Sequence, residues 1–167
     1  MPLPETVCPP TEEDNYFRLC RVRGTVHDMA AAMLGGVSGH AGLFSTTGDL
    51  AILLQMLLNN GEYSGVRYFK PETVAFFTSR QGGSTRRGIG WDMKELDPHK
   101  SLNMSKLASY ATYGHTGFTG NAAYVDPEKN LVYIFLSNRT YPDSGNNKLI
   151  NGNYRTRIQN VIYEAMR

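Results

Sequence analysis

Apolar side chains recur at three- and four-residue spacing over Leu50, Leu53, Leu54, Leu57 and Leu58, which predicts a helix across 47–59 with that face turned to a core. Thr46 with Asp49 three residues on has the form of a capping box in which Asp replaces Glu, and Asn60 with Gly61 supplies the stop. A second helix is predicted from about Asn153, with Ile158, Val161, Ile162 and Ala165 on its inner side. Two shorter helices follow from punctuation. One runs over 29–34 and is halted by Gly35 and Gly36; the other opens at Pro71 and faces inward with Val74, Phe77 and Thr78.

The β-branched and aromatic content of 122–126 and 131–139, separated by a turn at Pro127 to Asn130, predicts two antiparallel strands. Residues 88–93, which carry the sole Trp, read as a further strand, and 62–69 as a short ribbon. Ahead of the hairpin, where a strand should begin, the nine residues from Tyr113 to Asn121 hold three glycines. Glycine weakens a strand by lost packing and lost entropy, so this density implies that another group approaches the main chain closely. A ligand carbonyl or carboxylate is one such group, and a neighbouring element of the fold is another. Residues 1–24 hold four of the eight prolines and read as an irregular arm; 81–87 and 141–147 read as polar loops, and 94–109 as a polar surface excursion. The elements add up to an α+β fold: an antiparallel sheet of about three strands with flanking helices and a C-terminal helix, over residues 25–167.

A length of 167 residues suits one domain with a real core, and 41% hydrophobic with 19% charged residues is ordinary for a globular protein. A net charge of +2, with both signs interspersed, gives no basic footprint for nucleic acid or an anionic membrane. No window reaches the roughly 18 apolar residues of a membrane span, and the first residues lack the basic and apolar regions of a signal peptide. Cys8 and Cys20, without a CxxC, exclude a disulfide-dense scaffold, although they could pair in an oxidising compartment. His27, His40, His99 and His115 have no helical spacing, so no metal site is expected, and nothing implies a cofactor. His27 and Asp28 are adjacent and point to opposite faces of an extended chain, which predicts hydrogen-bonding roles and no dyad. His40, among glycines, is assigned to fixing its loop. No pair of carboxylates has the setting that glycoside cleavage needs.

Three phrases carry a resemblance. They are Gly-Val-Ser-Gly-His-Ala-Gly-Leu-Phe-Ser-Thr-Thr-Gly-Asp-Leu-Ala over 36–51, Gly-Ile-Gly-Trp over 88–91, and Gly-His-Thr-Gly-Phe-Thr-Gly over 114–120, followed by Val-Asp-Pro at 125–127 and Leu-Ser-Asn-Arg at 136–139. In this order and spacing, over roughly residues 9–167, they resemble the C-terminal half of the serine β-lactamase-like hydrolases, which include class C β-lactamases, D-alanyl-D-alanine carboxypeptidases and related esterases. Some bacterial members are fused behind a family 3 type glycosidase module. The resemblance implies a partial β-lactamase/transpeptidase-like fold, an exported or periplasmic parent, and a small-molecule or peptidoglycan-like substrate.

It also implies roles. His115, Thr116 and Gly117 would be the family's third motif, on the strand edging the active site. Thr116 would offer its hydroxyl to a substrate carboxylate, His115 a titratable donor beside it, and Gly117 room for the main chain to approach. The backbone N–H of Phe118 would be one of two donors to the oxyanion of a tetrahedral intermediate. Tyr113, a core or cleft-wall aromatic, counts among the substrate-binding candidates.

The nucleophile of that family is the Ser of Ser-x-x-Lys, and no serine of this chain has Lys three residues on; Tyr-x-Asn is missing too. Both motifs precede the matched part in the family. The expectation is therefore a fragment that holds one wall of an active site, inactive alone, with a non-catalytic binding or scaffold module, or the C-terminal portion of a fusion with a family 3 type (β-N-acetylhexosaminidase-like) glycosidase, as the alternatives. An unpaired sheet edge would then promote self-association or element swapping.

Overall fold

The computed structural model describes residues 8–82, 85–97, 99–100 and 104–166, so parts of the arm over 1–24, the loop over 81–87 and the excursion over 94–109 lie outside the described residues. In chain order the elements are β1 (Pro10–Asp14), β2 (Cys20–Arg23), α1 (Met29–Met33), α2 (Thr47–Leu58), β3 (Glu62–Tyr63), β4 (Val66–Arg67), α3 (Pro71–Thr78), β5 (Asp92–Met93), β6 (Tyr113–Thr116), β7 (Ala122–Asp126), β8 (Leu131–Phe135), α4 (Lys148–Asn151) and α5 (Tyr154–Ala165). They form two compact units. One comprises Met1–Ser45, Phe118–Gly120 and Ser137–Gly152; the other comprises Thr46–Gly117, Asn121–Leu136 and Asn153–Arg167.

In the first unit β1 and β2 pair antiparallel, which corrects the irregular arm expected over 1–24. The turn between them is organised by Asp14, whose carboxylate accepts the backbone N–H groups of Tyr16, Phe17 and Arg18 at 2.9–3.1 Å. Arg18 in turn donates to the carbonyls of Val26, His27 and Asp28. So a polar pair organises the turn of this hairpin. Asp28 caps α1 by accepting from Ala31 N–H at 2.8 Å, and Gly35 and Gly36, at φ of +85° and +86°, end the helix as predicted. Cys8 and Cys20 are free thiols.

The second unit is built on a sheet in the order β5-β6-β7-β8, antiparallel throughout, so the expected sheet gains a fourth strand from β6 itself. Of the strand expected over 88–93 only Asp92 and Met93 join it. Alternation along β7 and β8 divides two cores. Val125 joins Leu54, Met93 and Tyr113, with Val132 and Ile134 beside them, on the face covered by α2. Ala122, Tyr124 and Tyr133 join Met104, Ala108 and Tyr163 on the other, against α5.

Three expected inner faces hold in part, with Leu54, Leu57 and Leu58 of α2, Val74 of α3 and Ile162 of α5 turned to the interior, and are corrected in part. In α5 Ile158 and Val161 are exposed, and Thr156, Gln159 and Tyr163 are buried instead. Gln159 Oε1 accepts the Ser105 N–H at 2.6 Å, so a hydrogen bond accompanies apolar packing on the buried side of this helix. In α2 Leu54 and Met56 are buried while Leu53 is exposed, and in α3 Val74 is buried while Phe77 is exposed. The excursion over 94–109 is core in its second half: Met104, Ser105, Ala108 and Ser109 are buried, and Lys94 Nζ donates to the carbonyls of Lys106 and Ala108.

Candidate functional site

The His115 segment lies on β6, an inner strand of the second unit, with Tyr113 opposite Val125, His115 opposite Ala123 and Thr116 opposite Ala122. Gly117 N–H donates to Asn121 O at 2.8 Å and closes the β6–β7 connection, with residues 118–120 as its turn. The glycines have separate reasons. A Cβ on Gly114 would lie 2.1 Å from Ala123 O and 2.3 Å from Tyr124 Cδ1, and one on Gly120 would lie 2.3 Å from Ser137 Oγ. Protein groups therefore occupy the close approach at both. At Gly117 the nearest atom would be Asn121 Cβ at 3.4 Å, an ordinary contact, so no neighbour requires glycine there.

Tyr113 is buried at 2% exposure in the core beneath α2, where burial raises its phenol pKa, and its edge meets Trp91 at 5.4 Å. Of the core and cleft-wall roles expected of it, the core role is the one its packing fits. His115 is exposed and Thr116 half-buried, so both remain accessible, and the Thr116 hydroxyl has no hydrogen-bond partner among the described residues.

His115 Nδ1 lies 2.7 Å from the carbonyl of Thr116, which can only accept, so Nδ1 carries the proton. Nε2 then presents a lone pair, and Arg87 Nη1 donates to it at 3.4 Å. The same Nη1 pairs with Asp92 Oδ1 at 2.5 Å, and Arg86 Nε reaches that oxygen at 3.2 Å. Asp92 is 3% exposed. A buried carboxylate thus anchors two guanidiniums, one of which faces His115. Sequence reading missed Arg87 because it falls in a stretch whose only signal was turn composition.

In the first unit, the N–H of Phe118 has no acceptor among the described residues. Its carbonyl accepts from Arg139 Nε at 2.8 Å, and its ring lies 4.6 Å from the Arg139 guanidinium and 5.5 Å from the His27 ring. His27 Nε2 is 2.8 Å from the buried Glu12 carboxylate, so the predicted hydrogen-bonding role has a partner that the sequence did not name. His40 bridges Ser38 Oγ, at 2.6 Å from Nδ1, and Asp28 Oδ1, at 2.9 Å from Nε2. The Ala31 N–H and His40 bonds hold the Asp28 carboxyl below the usual carboxylate range. The string resembles a nucleophile with its base, but Asp28 caps α1, His40 is exposed and the other two are only half-buried, so loop fixation accounts for it.

An apolar hollow of about 540 Å³ in the second unit, lined by Ile52, Leu53, Met56, Tyr63, Tyr68 and Phe69 with Asp49, contains none of residues 113–118. Among the described residues no three His, Cys, Asp or Glu side chains converge as metal ligands.

A sequence profile described as "Beta-lactamase" matches residues 6–152. A protein of Escherichia coli strain K12 named "Putative D-alanyl-D-alanine carboxypeptidase" is 44% identical over 126 residues, covering 75% of this chain and 29% of that protein. A protein of the same name from Salmonella paratyphi B is 42% identical over 127 residues, with 75% and 29% covered. The chain therefore spans under a third of the length of these curated relatives. A crystal structure of a beta-lactamase from Mycobacterium bovis superposes with a TM-score of 0.52 at 24% identity, over 75% of this chain and 44% of that one, a likeness of fold.

Proposed function

The chain belongs to the beta-lactamase family, and on that premise we propose that residues 115–118 form one wall of an acyl-serine hydrolase site acting on an amide, ester or β-lactam. In this reading Thr116 binds a substrate carboxylate through its hydroxyl, and Gly117 leaves the main chain open to the ligand. The Phe118 N–H donates to the oxyanion that forms when the acyl carbonyl is attacked. His115 acts as an oriented acceptor, and Arg87 supplies the positive charge. The observation that carries the reading is the unengaged Thr116 hydroxyl beside Gly117, the second of the three glycines and the one that no protein neighbour explains; the Phe118 N–H is likewise without an acceptor among the described residues. The name shared by the relatives brings peptides ending in D-alanyl-D-alanine into the substrate class.

The attacking serine is not in this sequence, since none of its serines is followed at the third position by Lys. The chain by itself is accordingly inactive. That same fact favours a second reading, a binding module that keeps the wall without the chemistry, and the coding sequence ahead of Met1 separates the two.

Incubating the chain with a chromogenic cephalosporin, a nitrophenyl ester and a fluorophosphonate probe is expected to give neither turnover nor a covalent adduct by mass spectrometry. Stoichiometric labelling of the chain alone would overturn the assignment. A longer gene product bearing Ser-x-x-Lys is expected to take up one probe per chain, and Thr116→Ala in it to lower kcat/KM by about tenfold or more.

A further inference from the structure

Arg139 is buried at 7% exposure, yet no carboxylate among the described residues pairs with it. Its charge is met by neutral oxygens: Nε donates to Phe118 O at 2.8 Å, and Nη1 donates to Ser144 O at 2.8 Å, Asn146 O at 3.0 Å and Asn147 Oδ1 at 3.4 Å. Its backbone N–H donates to Thr119 O at 2.9 Å. Burying a cation among neutral groups is unfavourable, so a filler of this volume would be apolar. What arginine adds is a rigid fork with donors in two directions, here spent on the Phe118 carbonyl and on the 144–147 loop.

The rest of the turn is equally constrained. Gly120 sits at φ +114°, and a Cβ there would lie 2.9 Å from Leu149 Cδ2 as well as against Ser137. The Phe118 ring, although 66% exposed, lies near-parallel to His27 at 23°, and His27 is anchored to Glu12. Every polar group of Phe118 except its N–H is thus engaged.

We infer that Arg139 is the positioning residue of the Phe118 turn, holding the Phe118–Thr119 peptide by its carbonyl and so fixing the residue whose own N–H is left without a protein acceptor. The inference rests on the proposed function only for the purpose of that N–H. The fork itself is observable in the chain alone.

Nuclear magnetic resonance of the isolated chain tests it. In the unaltered protein the Arg139 Nε–H is expected to exchange with water at least about tenfold more slowly than that of the exposed Arg157. In Arg139→Lys, which keeps the charge and loses the fork, and in Arg139→Met, which keeps the volume, the Phe118 and Thr119 amide resonances are expected to shift and exchange at residue 139 to rise about tenfold or more. Amides of β7 and β8 should keep their rates and report an intact fold. A fast-exchanging Arg139 Nε–H in the unaltered chain, or an unmoved Phe118 amide in the Lys variant, would overturn the inference. The catalytic reading fails separately, through acylation of the chain alone.

Discussion

The Tyr163 hydroxyl donates to Asp126 Oδ2 at 2.6 Å, tying the C-terminal helix to the end of the inner strand β7. Asp126 is 1% exposed and also accepts the Ser109 hydroxyl at 2.6 Å and the Ser109 N–H at 2.9 Å. Burial pushes its carboxyl pKa up, but the bonds from Ser109 and Tyr163 outweigh burial and hold it below the usual carboxylate range. A folded-state value below the unfolded one, which is about 3.9, makes the carboxylate a source of stability above that value, and this is lost as pH falls through the folded value. Denaturant midpoints measured from pH 7 to pH 3 should therefore fall steeply at the acid end and less steeply in Asp126→Asn. Tyr163→Phe should lower stability by about 1–3 kcal/mol at pH 7. Equal acid slopes in the two proteins would remove Asp126 from the account.

His115 should be the Nδ1–H tautomer, because Thr116 O demands a donor and Arg87 occupies Nε2. Nitrogen-15 correlation spectra of the imidazole distinguish the two forms directly. In Arg87→Leu the Nε2–H form should become populated, and in Arg87→Lys less so. A dominant Nε2–H signal in the unaltered chain would refute the orientation.

Gly114 and Gly117 should respond oppositely to alanine. Gly114→Ala drives a methyl into Ala123 O and the Tyr124 ring and should cost about 3 kcal/mol or more, whereas Gly117→Ala meets only a normal contact and should change stability by under about 1 kcal/mol. Equilibrium unfolding of both variants checks the contrast. A Gly117→Ala chain as unstable as Gly114→Ala would mean that the fold, and not a ligand, requires both glycines.

The chain should self-associate. The strand order leaves β8 at a sheet edge, and Ile52, Leu53, Tyr68, Phe69 and Val161 are all between 44% and 64% exposed in the same unit. Light scattering over a concentration series should show mass rising above 18.6 kDa. A constant monomer mass across the series would contradict it.

Local signals were read well where one residue decides a local bond. Thr46 accepts the Asp49 N–H at 3.1 Å and α2 starts there; Gly35 and Gly36 end α1; Pro71 opens α3. Periodicity misled where burial is polar. The inner side of α5 is chosen by Gln159 meeting Ser105 and Tyr163 meeting Asp126, partners 54 and 37 residues away, and no helical pattern encodes those distances. The buried Met104 and Ala108 were hidden in the same way, inside a polar run whose carbonyls Lys94 gathers. At the candidate site the phrase over 114–120 marked the right strand, but it could not separate the buried Tyr113 from the accessible Thr116, nor reveal Arg87, which Asp92 brings to His115 from 28 residues away.

One guanidinium grips both the Phe118 carbonyl and the backbone of residues 144–147. The length of that surface loop is therefore not free to drift as most surface loops are. An insertion or deletion there would propagate to residue 118, so sequence change in an outwardly unremarkable loop becomes a way of tuning, or of silencing, a donor more than twenty residues upstream.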